Sequence, residues 1–245
     1  LQRSISIVIP AYNEETRLPS TLEKVADYLD RIGFEFVEVL VVDDGSRDGT
    51  VAQAAEFART HPYLRVLRNP GNRGKGYSVR HGMLEAKGEW ALFTDADLSA
   101  PVEELEKLFA AAEQEGSPIA FGSRAIDRSL VGVHQPALRE YAGRFFNLVM
   151  RAVTGLKFHD TQCGFKLFRR DAARAIFKRQ QLERFGFDVE ILFLAKLLGY
   201  RAVEVAVRWD DVAGSKVGAM QGLDGFVDLL RVRMNQWRGR YKVTR

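Results

Sequence analysis

The stretch Trp90-Ala91-Leu92-Phe93-Thr94-Asp95-Ala96-Asp97-Leu98-Ser99-Ala100-Pro101 decides how this chain is read. A short apolar run predicts a buried strand. It runs into two carboxylates one residue apart, and Pro101 then opens a helix with Glu103 and Glu104 in its first turn. Side chains alternate along a strand, so only an irregular strand end can turn Asp95 and Asp97 toward one point. Two hard oxygen ligands there suit Mg²⁺ or Mn²⁺, and such an ion usually also takes substrate phosphate oxygens. The plainer alternative is an acidic turn that caps the next helix, because Asp is common in turns.

Outward from this stretch the chain alternates strand and helix. Residues 4–9 predict a first buried strand ending at Pro10, and Ala11-Tyr12-Asn13-Glu14-Glu15 turns into a helix running to about Ile32. A second strand at 36–42 ends in Asp43-Asp44-Gly45-Ser46, with Ser46 or Asp48 available to cap a helix from Gly49. A third strand at 64–67, the glycine loop Asn69–Gly76, a helix at 77–86 and a strand at 119–122 complete the first half. This order predicts an α/β fold with a parallel sheet and crossover helices. Ligands of such sheets sit at the carboxyl ends of the strands, where Tyr12, Asp43, Asp44, Asp95 and Asp97 all fall.

Past Gly122 the pattern becomes more helical. Helices are expected at 136–154, 188–198 and 223–237, and strands at 166–169 and 201–208. The first of these helices has an unusually wide apolar surface and carries Arg139, Arg144 and Arg151; the last is amphipathic and leads into Arg238, Arg240, Lys242 and Arg245. Without an internal repeat or a low-complexity linker, one domain over 1–245 is expected, with a nucleotide-binding half at 1–122 and a second half at 123–245.

Composition narrows the class. The 245 residues are 46% hydrophobic and 28% charged, ordinary values for a globular chain with a sizeable core. A net charge of +4 is too mild to argue for nucleic acid, and the aromatic residues are not interleaved with a basic run. Cys163 is the only cysteine, which excludes an intramolecular disulfide, makes a zinc cage a poor expectation and suits a reducing compartment. Neither a run of transmembrane length nor a signal-peptide pattern is present in the sequence, which begins at Leu1 rather than Met.

Other motifs carry two readings each. The loop Gly71–Gly76 is not a Walker loop, since Tyr77 follows Gly76 where a lysine is needed, and it lacks the third spaced glycine of a dinucleotide fingerprint. It is either a surface loop or an anion cradle with Lys75 at a helix start. Asp43-Asp44 either caps a helix or accepts from a base or ribose. His61, His81, His134 and His159 share no metal spacing and are expected to be solvated, and no Gly-x-Ser-x-Gly elbow is found.

Taken in order, Pro10-Ala11-Tyr12-Asn13-Glu14, Asp43-Asp44-Gly45-Ser46, Asn72-Arg73-Gly74-Lys75-Gly76 and Asp95-Ala96-Asp97 resemble the inverting glycosyltransferases of family 2, which have the GT-A fold. Gly122-Ser123-Arg124, Asp160-Thr161-Gln162-Cys163-Gly164-Phe165-Lys166, Phe187-Asp188-Val189-Glu190 and Ser215-Lys216-Val217 are similar to the polyprenyl-phosphate glycosyltransferases, in particular the dolichyl-phosphate β-glucosyltransferase-like subgroup. The resemblance covers nearly the whole chain. It implies that Pro10, Ala11, Tyr12 and Glu14 line a nucleotide pocket, that Asp43 or Asp44 holds uracil or ribose, and that Lys75, Gly76 and Ala96 lie by the nucleotide. It implies that Asp95 faces the ribose or the metal through water, that Asp97 binds Mg²⁺ or Mn²⁺ directly, and that Arg124 and Arg139 meet an acceptor phosphate. Asp160, Gln162 and Asp188 match active-site positions. Mannosyl members often carry Gln where this chain has Ser99, a departure that favours a UDP-sugar over GDP-mannose. The expected partners are a UDP-sugar, a polyprenyl phosphate and the cytoplasmic face of a membrane, on which the protein is peripheral; no nucleic acid is expected. The alternatives are a GDP-mannose-dependent mannosyltransferase, a transferase with a soluble glycan acceptor, and a non-catalytic nucleotide-sugar binder.

Overall fold

Strand Ser4–Ala11 (β1) is followed by helix Leu18–Ile32 (α1), Phe36–Asp43 (β2), Thr50–Thr60 (α2), Leu64–Arg68 (β3), Lys75–Glu85 (α3) and Trp90–Phe93 (β4). A 3₁₀ turn at Val102–Glu104 runs into Leu105–Gln114 (α4), then Ile119–Ser123 (β5), Val131–Val133 (β6), Ala137–Thr154 (α5), Lys166–Arg169 (β7) and Arg170–Phe177 (α6). Phe187–Leu197 (α7), Val203–Ala206 (β8), Trp209–Asp210 (β9) and Ala219–Trp237 (α8) complete the order. The computed structural model describes residues 3–133, 137–210 and 219–242, with side chains described except at 133, 137–145 and 219–224.

Seven strands form one sheet in the order β3-β2-β1-β4-β7-β5-β8, and β6 pairs with β9 beside it. All pairings in the large sheet are parallel except those of β7, which runs against both β4 and β5. The reversal places the start of β7 opposite the strand ends, with Lys166 facing Phe93 and Phe121. The sheet is covered on both faces, which is why its strands read as near-continuous apolar runs. Ile5, Ile7 and Ile9 pack with Leu22, Val25, Leu105 and Leu108 on one side. Val8, Leu40 and Val42 pack with Val79, Met83, Ile176 and Leu192 on the other. The period-2 alternation of a strand sorts β1 between these layers.

The structure corrects several sequence expectations. Helix α3 begins at Lys75 rather than Tyr77, so the lysine opens the helix; α6 and the short strands β6 and β9 were not anticipated. The strand expected over 201–208 is confined to Val203–Ala206. Pro136 lies outside the described residues. The apolar width of α5 is largely a packing requirement: Met150 is buried, Val149 and Val153 pack on the core, and Phe146 meets Phe226 of α8 edge-on. Leu148 alone is exposed among its described large apolar residues.

Candidate active site

The two carboxylates follow β4 on a tight turn. Leu98 N–H donates to Asp95 O, and Leu98 itself adopts φ 46°, a left-handed conformation that costs energy for a branched residue. Ser99 donates through both N–H and Oγ to Asp97 Oδ1, at 3.1 and 3.0 Å. Thr21 Oγ1 of α1 ties down Ala96 O at 2.6 Å, and Asp210 N–H reaches Ser99 O. This strained, anchored turn is the irregular strand end that the alternation rule requires. Burial, with the charge of Asp95 second, pushes the Asp97 carboxyl above its ordinary value.

Lys75 Nζ lies 2.5 Å from Asp95 Oδ1. Burial opposes its charge, but Asp95, Asp188 and Asp97 together outweigh burial and raise its pKa. Gly164 lies directly against the Asp95 carboxylate, where an added Cβ would collide with it.

On the β1–β2 side, the loops that follow the two strands are laced together. Asn13 N–H donates to Ser46 Oγ, Glu14 N–H to Thr50 Oγ1, and Arg47 N–H to Asn13 Oδ1. Asp48, rather than Ser46, supplies the side-chain bond to the start of α2, accepting from Thr50 N–H. Glu14 is paired with Arg17 through two bonds. Pro10 and Ala11 end β1, with Tyr12 half-buried after them. The two adjacent aspartates separate in role: Asp44 accepts from Asn69 Nδ2, Arg73 N–H and Gly74 N–H and so organises the glycine loop, whereas Asp43 Oδ1 accepts from Ser46 N–H. His81, expected to be solvated, bonds to Asn69 Oδ1.

Beyond Asp95 lie two ion pairs. Arg124 grips Asp160 through Nε and Nη2 at 2.6 and 2.9 Å, and its guanidinium stacks over Trp209. Burial works to raise the Asp160 carboxyl, but the charge and hydrogen bonds of Arg124 prevail and hold it at about 2. Lys166, fully buried, donates to Asp188 Oδ1 and to Cys163 O. Burial pushes Asp188 up despite Lys166 and Lys75. Gln162 is half-buried, with its N–H on Asp160 Oδ1. Burial pushes the Cys163 thiol to about 12, so it is inert. Arg139 lies on α5 with its side chain outside the described residues, as are Ser215, Lys216 and Val217.

The donor set on the turn fits a hard divalent cation. It brings two oxygen-ligand residues together, one with its charge penalised by burial and by the other, a penalty that a cation relieves. Among the described residues no group of three or more His, Cys, Asp or Glu forms a metal cage. Sequence reasoning gave Lys166, Gly164 and Asn69 no role of their own in the site. A lysine in an apolar strand was the available signal for the first.

Residues 6–177 match Glycosyl transferase family 2. A dolichyl-phosphate beta-glucosyltransferase of Drosophila melanogaster is 38% identical over 251 residues, covering 96% of this chain and 77% of that protein. The Homo sapiens protein of that name is 34% identical over 261 residues, covering 98% and 78%. The fold matches glucosyl-3-phosphoglycerate synthase of Mycobacterium tuberculosis with a TM-score of 0.68 at 17% identity, over 99% of this chain and 82% of that one. The same synthase solved with Mn²⁺, UDP and glucosyl-3-phosphoglycerate also gives 0.68, over 99% and 81%. The chain therefore belongs to glycosyl transferase family 2, as a glycosyltransferase of GT-A-like fold related along most of its length to the dolichyl-phosphate beta-glucosyltransferases.

Proposed function

We propose that the enzyme transfers glucose from UDP-glucose to a dolichyl-type polyprenyl phosphate, inverting the anomeric centre, while docked peripherally on the cytoplasmic face of a membrane. The observation that carries this reading is the convergence of Asp95, Asp97 and Lys75 at the edge where β4 ends, with the Arg124–Asp160 pair beyond them. The names of the relatives supply the sugar and the lipid. Pro10, Ala11, Tyr12 and Glu14 form the wall against the nucleotide, and Asp43, rather than Asp44 with its three bonds to the glycine loop, faces the nucleoside. Lys75 and Gly76, with Ala96 opposite, lie along the diphosphate. A divalent cation, Mg²⁺ or Mn²⁺, would be held by Asp97 and Asp95 and would supply neutralisation of the donor diphosphate. The synthase of similar fold was solved with Mn²⁺ and UDP, which supports that assignment.

The chemistry makes modest demands on the protein. A phosphate monoester is ionised near neutral pH, so its oxygen attacks the anomeric carbon without a strong base. The new C–O bond forms as the bond to the UDP oxygen breaks, and UDP leaves. Catalysis rests on alignment and charge placement. Asp160 and Asp188 are each bound to a cation, so neither acts as a free base; with Gln162 they fix the charges around the reacting centre. Arg124 and Arg139 draw the acceptor phosphate toward a donor that would otherwise repel it. The lipid-facing element is α8, whose exposed apolar stripe is bordered by arginines; among the described residues no helix is long and apolar enough to cross a membrane. Offering radiolabelled UDP-glucose or GDP-mannose with a polyprenyl phosphate and extracting the lipid tests the assignment. Label should enter the lipid from UDP-glucose; entry from GDP-mannose alone overturns the donor, and label only in water-soluble product overturns the acceptor.

A further inference from the structure

Glu190 lies two residues past Asp188 on α7 and is wholly buried, with its carboxylate bonded to groups other than the acid turn. Its carboxylate accepts from Gln181 N–H at 3.1 Å, from Leu182 N–H at 2.8 Å and from Tyr241 OH at 2.6 Å. A buried carboxylate is costly, so this many donors on one group mark a backbone segment held with care. The segment it holds is the one that lies against the glycine loop.

Gln180, also buried, donates both amide hydrogens, to Gly76 O and Leu182 O at 2.8 Å each, while its Oε1 has no partner. The orientation is dictated, since the flipped amide would set an oxygen against two carbonyls. Tyr77 N–H donates to Glu183 O, and Arg73 pairs with Glu183. Gly74 and Gly76 lack side chains because backbone of 182–184 occupies the space; a Cβ would lie 2.6 Å from Glu183 O in the first case and 2.8 Å from Leu182 O and Arg184 O in the second. Lys75, between these glycines, reaches Asp95. On its far side the same segment meets α8, where Gly186 packs on Asp228.

We propose that Gln180 and Glu190 are positioning residues for the donor: they fix the backbone of 180–184 against Gly74–Tyr77, hold Lys75 at the diphosphate, and through Tyr241 bind that loop to the base of α8. This rests on the reading of Lys75 and Gly76 as donor contacts. The effect should therefore fall on donor affinity rather than on the chemical step, a split that a merely structural role does not produce.

The test uses the full chain with Mn²⁺, UDP calorimetry, initial rates against UDP-glucose, and thermal melting. Gln180→Met, close in volume, should raise both the UDP Kd and the UDP-glucose KM about tenfold while kcat changes less than about twofold and melting stays cooperative. Glu190→Gln, which keeps an acceptor oxygen, should lie between wild type and Glu190→Leu. In combination with Lys75→Ala, Gln180→Met should add much less than its own loss of about tenfold, because it acts largely through that lysine. Lower melting temperatures with Kd and KM unchanged, or losses that multiply in the double variant, overturn the proposal while leaving the donor site standing. If Lys75→Ala binds UDP as wild type does, the donor reading itself fails, and the proposal with it.

Discussion

Gly164 sets how closely the acid turn can be packed. A Cβ there would come within 2.7 Å of Asp95 Cγ and 2.8 Å of Oδ1. These atoms end a side chain, so the carboxylate rather than the fold gives way. Gly164→Ala should keep its melting temperature yet lose about 10–100-fold in Mn²⁺-dependent UDP affinity, and Asp97→Asn should lose turnover outright. Near wild-type turnover of Asp97→Asn at saturating Mn²⁺, or unchanged Mn²⁺-dependent UDP affinity of Gly164→Ala, counts against a metal role for the turn. Asp160 gives a second prediction. Its folded pKa of about 2 is below its ordinary 3.8, so its stabilisation is complete above pH 4 and is lost as pH falls toward 2. That loss is on the order of 2 kcal/mol, and urea titrations of wild type and Asp160→Asn should converge across this window. At neutral pH the variant should be weaker by about 2 kcal/mol, because half-buried Arg124 loses its anion. Side-chain partnerships of this kind were the least legible part of the sequence. The Asp95-Ala96-Asp97 run announced itself, but that Asp44 serves the loop while Asp43 does not depends on which neighbour each one meets.

Elements were legible where a hydrophobic run was long and its end was punctuated. Strand β2 stops at Asp43, β1 runs one residue past Pro10, β4 ends two residues before Asp95, and α1 carries its stripe over fifteen residues. Helix α6 has only eight residues and follows β7 without a turn residue between them, so periodicity had no room to declare itself. The antiparallel direction of β7 left no local trace either, since direction is decided by what a strand pairs with. Close approach of α3 to the sheet is likewise a tertiary fact, and it rests on Gly82. A Cβ there would collide with Val8 and come within 2.9 Å of Val42 Cγ2. Gly82→Ala gains about 1 kcal/mol in helix propensity. It should still be destabilised overall, with overpacking costing about 1–3 kcal/mol and the rigid branched neighbours favouring the upper part of that range. A urea midpoint at or above wild type would mean that α3 rides away from the sheet freely.

At the scale of the whole molecule, a net charge of +4 says little until its placement is known. On α8, Val227, Leu230, Met234 and Trp237 recur at spacings of three and four and remain exposed, Leu230 at 64% and Trp237 at 78%. At 3.6 residues per turn they form one stripe, with Arg231 and Arg238 along one border and Arg233 along the other. The opposite face, with Leu229 and Val232, is buried in the core. An exposed Trp beside aliphatic groups and flanking guanidiniums suits the boundary between lipid headgroups and acyl chains. On the proposed reading the acceptor's polyprenyl tail stays in the bilayer, so the site has to come to the lipid phosphate. Each arginine near an anionic surface contributes about 1 kcal/mol, and salt shortens the reach of that attraction from about 10 Å at 0.1 M to about 3 Å at 1 M. Sedimentation with anionic vesicles should therefore be strong at low salt and weak at high salt, and neutral vesicles should leave most protein in solution. Arg233 packs over Phe193 and Arg231 pairs with buried Asp228, so the informative changes are Arg238→Glu with Arg240→Glu in the basic tail, and Leu230→Ser with Trp237→Ser on the stripe. Both pairs should reduce turnover of membrane-embedded acceptor while leaving UDP affinity within about twofold, because docking and donor binding draw on separate contacts. Protein that stays in the supernatant at low salt, together with undiminished turnover in both variants, would show that α8 faces something other than lipid.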